Sequence, residues 1–279
     1  MARAMLRLLL FAALGIVIAH VILLILSLRE SWVERTFIFF PDKKLEATPR
    51  QAGLDFQEVY FDGGGLRLHG WYVPARDKAT VLLWLHGNGG NISYEMDGIA
   101  LLNQSGLGIF IFDYQGYGKS EGQPSEAGVY RDARAAYEYL KNGLSVTPDR
   151  IVLFGRSLGG AVAADLALQA PARALILDGA FTSLGDMANH HYRWLPGKGR
   201  YAHKFDTAGK LARISIPKLI IHGDRDRVVP FWMGRRLYEV ASPPKEFYPI
   251  AGAGHEDTME VGGREYLLRV AELIRAAQP

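Results

Sequence analysis

The chain has 279 residues, 49% hydrophobic and 22% charged, with a formal net charge of +3 and no cysteine. That length suits a single α/β domain with a sizeable core, and the absence of any dense Lys/Arg run argues against nucleic acid as a partner. Without cysteine there are no disulfides, no thiolate metal ligands and no cysteine nucleophile.

The first element predicted is a long apolar run, Leu8 to Leu28, broken only by His20 and small residues. As a helix it would span about 30 Å, the thickness of a bilayer's hydrocarbon core. After Ser27 comes Leu-Arg-Glu-Ser-Trp, which lacks the small-x-small site of a cleaved signal peptide. The expectation is therefore a retained single-pass anchor over residues 1–30, followed by one folded domain over residues 31–279. Arg3 and Arg7 precede the run, and Arg29, Arg35, Lys43 and Lys44 follow it, so flanking charge does not decide orientation. The habit of signal anchors places the domain on the non-cytoplasmic side. Trp32 and Phe37 to Phe40 either lie at headgroup level or pack on the domain, and both readings stay open.

Phe56–Phe61 and Leu66–Val73 read as a hairpin joined at Asp62-Gly63-Gly64-Gly65. Strands follow at Val81–Leu85, Ile109–Phe112, Ile151–Phe154, Ala174–Leu177, Lys218–Ile221 and Glu246–Ile250. Between and after them, helices are predicted over Ile92–Gln104, Glu126–Lys141, Ala161–Ala170, Trp232–Glu239 and Arg264–Arg275. Alternating strands and helices imply a mostly parallel sheet with helices on both faces and an antiparallel edge from the hairpin. In such sheets the site lies beyond the carboxyl ends of the strands.

One stretch carries the chemistry. Ile151–Phe154, then Gly155-Arg156-Ser157-Leu158-Gly159, then an Ala/Leu-rich helix, is strand, Gly-x-Ser-x-Gly, helix: a nucleophile elbow. Gly118-Lys119-Ser120-Glu121-Gly122 fits the same pattern but leads into Gln123-Pro124 with no helix directly behind it. Context selects Ser157 and rejects Ser120. A serine hydroxyl needs a base, and His255, in a Gly-rich loop after the last strand, is the best placed. His86 and His222 each precede a glycine and are expected to brace loops, while His190, His191 and His203 are expected to be exposed. Asp226, Asp178 and Asp224 all follow strands, so all three are candidate partners for the histidine. An oxyanion needs N–H donors placed in advance. The backbone of Leu158, just after the nucleophile, would supply one, and that of Asn88, just after His86-Gly87, the other.

Five motifs occur in order: HGNGGN at 86–91, FDYQGYGKSEG at 112–122, GRSLGG at 155–160, HGDRDRVVP at 222–230 and GAGH at 252–255. Together, over residues 35 to 275, they resemble the membrane-anchored α/β-hydrolase-domain serine hydrolases, a group that includes protein depalmitoylases and bacterial esterases. The resemblance implies the α/β-hydrolase fold and a Ser157–Asp226–His255 triad, with Asp226 favoured as the acid and Asp224 left as a turn former. The substrate does not follow from the resemblance, since this fold hosts many chemistries; the expectation is carboxylesterase or lipase-like hydrolysis of an acyl ester or thioester, with no cofactor and no metal. A depalmitoylase-like thioesterase and a catalytically silent binding module are the rivals. A basic insert from Thr182 to Ile216, with Tyr192, Trp194, Leu195 and Phe205 interleaved, forms either a cap over the site or a solvated surface loop. As a cap it could face lipid headgroups. Oligomeric state is not legible.

Overall fold

Strands whose residues are all apolar must be covered on both faces, and that requirement shapes this molecule. The computed structural model describes residues 37–75, 80–192 and 203–277, together with positions 15, 17 and 18. The chain divides into two units, Met1–Phe40 and Pro41–Pro279; the fold below is that of the second.

The hairpin strands are β1 (Gln57–Asp62) and β2 (Arg67–Val73). Five buried strands follow: β3 (Val81–Leu85), β4 (Gly108–Phe112), β5 (Ile151–Arg156), β6 (Ala174–Asp178) and β7 (Lys218–Gly223). The half-exposed β8 (Lys245–Ile250) closes the far edge. Among the described residues they form an eight-stranded sheet in the order β8-β7-β6-β5-β3-β4-β2-β1. Only β2 runs against the rest, pairing antiparallel with both β1 and β4.

Period-two alternation sends Leu82 and Trp84 of β3 to one face and Leu83 and Leu85 to the other. Leu82 and Trp84 join a core with Ile99 and Leu102 of α1 (Met96–Gln104) and Tyr266, Val270 and Leu273 of α7 (Thr258–Ala276). The opposite face is covered by α2 (Glu126–Glu138), α3 (Leu158–Ala167) and α6 (Phe231–Val240). Two short helices, α4 (Leu184–His191) and α5 (Thr207–Leu211), lie in the Thr182–Ile216 insert.

Apart from the Leu8–Leu28 run, the predicted strands and helices are all present among the described residues, with shifts at four helices. The one predicted over Glu126–Lys141 is α-helical to Glu138 and closes as a π turn, Tyr139–Gly143. The helix expected from Ile92 opens as a 3-10 turn, Ile92–Glu95, before α1. The helix after the elbow begins at Leu158, three residues earlier than its Ala/Leu pattern suggests. The last helix begins at Thr258 and is bent at Gly263, whose φ of 51° and ψ of −128° are not helical.

Strand order reverses at β3: the chain leaves it for β4 on one side and returns to β5 on the other. Such a switch point leaves a crevice at the carboxyl ends of the strands. The loops after β3, β5, β7 and β8, which carry His86, Ser157, Asp226 and His255, all leave that edge. Among the described residues no helix is long and apolar enough to cross a membrane. The apolar run Leu8–Leu28 lies outside the described residues, apart from positions 15, 17 and 18, as do residues 193–202 of the insert.

Candidate active site

Ser157 stands between β5 and α3 with φ 51° and ψ −118°, a backbone state that costs a non-glycine residue about 1–3 kcal/mol. Two bonds hold it there: the Ser157 N–H donates to the Asp178 carbonyl at 2.9 Å, and the Gly160 N–H donates to the Ser157 carbonyl at 3.0 Å. The flanking glycines are steric necessities. A Cβ on Gly155 would lie 2.4 Å from the Gly159 carbonyl oxygen, and one on Gly159 would lie 1.8 Å from that of Leu85. The serine itself is only half-buried and open to a substrate.

His255 Nε2 lies 3.0 Å from Ser157 Oγ, and His255 Nδ1 lies 2.6 Å from Asp226 Oδ2. An ionised carboxylate can only accept, so Nδ1 carries the proton and Nε2 is left to accept from the serine hydroxyl. Burial raises the Asp226 carboxyl, but hydrogen bonds from His222 and His255, the His255 charge and the Val229 N–H outweigh it. The net effect holds Asp226 well below the usual carboxylate range. Its other oxygen, Oδ1, accepts from the N–H groups of Val228 at 2.8 Å and Val229 at 2.7 Å. Asp226 is thus fixed as an anion behind the imidazole, in the orienting position a triad acid takes.

The other two aspartates are engaged elsewhere. Asp178 accepts from Thr258 Oγ1 at 2.8 Å and the Tyr266 hydroxyl at 3.0 Å, anchoring α7. Asp224 accepts from the Gly252 N–H at 2.7 Å and so ties two turns together. His222 Nε2 donates to the Val229 carbonyl at 2.9 Å, and His86 Nδ1 donates to that of Gly87 at 2.8 Å. Burial depresses His86 to about 4, against the opposing pull of Asp113 and the Gly87 carbonyl, so it is a neutral brace near pH 7. His190, His191 and His203 are exposed. Ser120 is buried; its hydroxyl donates to the Asp113 carbonyl at 2.6 Å and accepts from the His69 N–H at 2.9 Å. Those bonds bind its loop and engage its hydroxyl on both sides.

Leu158 opens α3, so its N–H belongs to the first turn, where no intrahelical acceptor exists. Across from it runs His86-Gly87-Asn88, where a Cβ on Gly87 would sit 3.7 Å from Ser157 Cβ. The Asn88 carbonyl is held by the Tyr117 hydroxyl at 2.7 Å. Both predicted oxyanion donors are therefore on segments that border the serine.

Sequence reasoning passed over Arg156 and Glu95. The Arg156 guanidinium pairs with Glu95 at 3.0 Å, and both side chains are nearly buried. Its signal was available: a charge at the end of an apolar strand must find a buried partner. In the insert, His191 Nε2 donates to the Val228 carbonyl at 2.8 Å, so α4 reaches the loop that carries Asp226. Lys210, counted among the basic residues of the insert, is paired with Asp165 at 2.9 Å and faces the body of the domain.

Comparison with known proteins bears on this geometry. A family model described as "Serine aminopeptidase, S33" matches residues 76–204. The alpha/beta hydrolase domain-containing protein WAV2 of Arabidopsis thaliana is 32% identical over 274 residues, covering 90% of this chain and 89% of that protein. The lysophosphatidylserine lipase ABHD12 of Mus musculus is 33% identical over 198 residues, covering 63% of this chain and 49% of that protein. Among solved structures, the Pyrococcus furiosus esterase Pf2001 superposes with a TM-score of 0.73 at 22% identity, covering 87% of this chain and 99% of its own.

Proposed function

This chain belongs to the α/β-hydrolase family, and from that premise we propose that it is a serine hydrolase cleaving acyl esters or thioesters through a covalent intermediate on Ser157. One observation carries the reading: Ser157 Oγ, His255 and Asp226 form a continuous hydrogen-bonded line, at 3.0 and 2.6 Å.

The chemistry follows from that line. Ser157 Oγ attacks the acyl carbon while His255 Nε2 takes its proton, and Asp226 stabilises the imidazolium. The Leu158 and Asn88 N–H groups receive the oxyanion, each such donor being worth about 2.7–4 kcal/mol. Collapse breaks the bond to the alcohol or thiol, which leaves with the proton from His255. Water, deprotonated by the same nitrogen, then releases the acid and restores the serine. Every proton and electron pair is accounted for by these side chains and water, so no cofactor or metal is invoked.

Carboxylesterase or lipase-like action on lipid-like acyl groups is the favoured substrate class, supported by the lipase among the relatives. We place the enzyme at a membrane through Leu8–Leu28, with the domain on the non-cytoplasmic side. The description of the matching family model favours one further reading, cleavage of an N-terminal peptide bond. An acyl-chain-length series tests both, using esters beside matched thioesters and an aminoacyl arylamide, all in detergent. Turnover of esters with little arylamide cleavage is the expected result; arylamide turnover alone would overturn the ester assignment, and thioester preference would make the enzyme a thioesterase.

A further inference from the structure

We propose that Arg156 is a positioning residue that locks the base to the nucleophile, one guanidinium beside Ser157 gripping the main chain of His255 and Glu256. The proposal rests on Ser157 and His255 being nucleophile and base.

Arg156 is the last residue of β5, so its backbone is continuous with that of Ser157. Its Nη2 donates to the Glu256 carbonyl at 2.6 Å and to Glu256 Oε2 at 3.0 Å, with the His255 carbonyl 3.4 Å away. Its Nη1 donates to Glu95 Oε2 at 3.0 Å. Glu95 closes the 3-10 turn that follows the Asn88 loop. A single planar group therefore ties together the elbow, the base loop and the segment behind the proposed oxyanion donor. Arg156 lies 61 residues from Glu95 and 100 from Glu256 in the chain.

Stability alone is a weak reason for such a group. The Arg156 and Glu95 side chains are 14% and 13% exposed, and a well-packed apolar pair often does as well as a buried ion pair. Direction is what the guanidinium supplies. Its rigid fork donates along two fixed lines, which a lysine ammonium cannot reproduce. Burial works against the Arg156 charge, but Glu95, Asp178 and Glu256 outweigh it and keep the group protonated. The His255 ring is already fixed by Asp226 at one nitrogen; Arg156 fixes the peptide that carries the ring. A misplacement of about 1 Å at a reacting pair can cost about 100-fold in rate, so this tie acts on kcat.

The test uses the full chain in detergent with Arg156→Lys and Arg156→Gln. Active sites are counted by complete fluorophosphonate titration, and kcat and KM are measured on a short soluble ester. Per titrated site, kcat is expected to fall about 10-fold in Arg156→Lys and about 100-fold in Arg156→Gln, with KM within about twofold of the parent. A merely structural arginine would lower the number of titrated sites and leave kcat per site unchanged. Should Arg156→Gln not fold, Glu95→Gln, which weakens the brace that aims the guanidinium, is expected to lower kcat about threefold at constant KM. Unchanged kcat per site, or a loss confined to KM, would overturn the proposal. Wild type that labels at Ser157 while the variants keep full kcat removes Arg156 alone; wild type that does not label at Ser157 removes the nucleophile and this proposal together.

Discussion

In the proposed mechanism His255 serves as a base because of what stands behind it. Asp226 is held as an anion by two main-chain N–H groups and by His222, so it can orient the ring and favour its charged form. Asp226→Asn would present an amide to Nδ1 and favour the wrong tautomer, lowering kcat by about 10³- to 10⁴-fold with little change in thermal midpoint. Asp178→Asn should do the reverse, since Asp178 anchors Thr258 and Tyr266: kcat within about tenfold, and a midpoint lowered by several degrees, as about 1 kcal/mol shifts a domain of this size by about 2–4 °C. Steady-state kinetics and thermal denaturation on both variants check this. Near-normal kcat in Asp226→Asn with an inactive Asp178→Asn would move the acid. At this scale the sequence left Asp226, Asp178 and Asp224 open because all three follow strands, and only distance separates them. Arg156 carries a signal of its own, a charge at the end of an apolar strand that must find a buried partner, but only the fold shows that the partner is Glu95.

At the scale of elements, strand, turn and helix around Ser157 were legible because each obeys a local rule. The apolar run of β5 reads as buried, and the glycines answer to backbone 1.8 and 2.4 Å from their missing Cβ atoms. The start of α3 was misplaced because Gly159 and Gly160 are poor helix formers, yet close packing demands them, Gly159 against the Leu85 carbonyl and Gly160 against the Ala180 side chain. The bend of α7 at Gly263 was likewise invisible, since a single glycine in a helical pattern is ordinarily tolerated. The apolar run Leu8–Leu28 is the one element whose role rests on hydropathy alone. As a retained anchor it should keep the full-length protein in membranes through a carbonate wash, with an N-terminus still near Met1 by mass spectrometry. A mature N-terminus beyond Ser27, or release by carbonate, would contradict the anchor.

Across the whole molecule, alternating strands and helices announced a parallel sheet, but not its order. Local pattern is silent on which strands become neighbours, because pairing is decided by how the crossovers bury both faces of β3 to β7. That order is what brings Ser157 within 3.0 Å of His255 across 98 residues of chain. The central claim, that this assembly makes Ser157 a nucleophile, is tested most directly by reacting the full-length protein with a fluorophosphonate and mapping the adduct by peptide mass spectrometry. One adduct on the peptide containing Ser157, lost in Ser157→Ala and kept in Ser120→Ala, is the predicted result. An adduct on Ser120, or labelling that persists in Ser157→Ala, would contradict it.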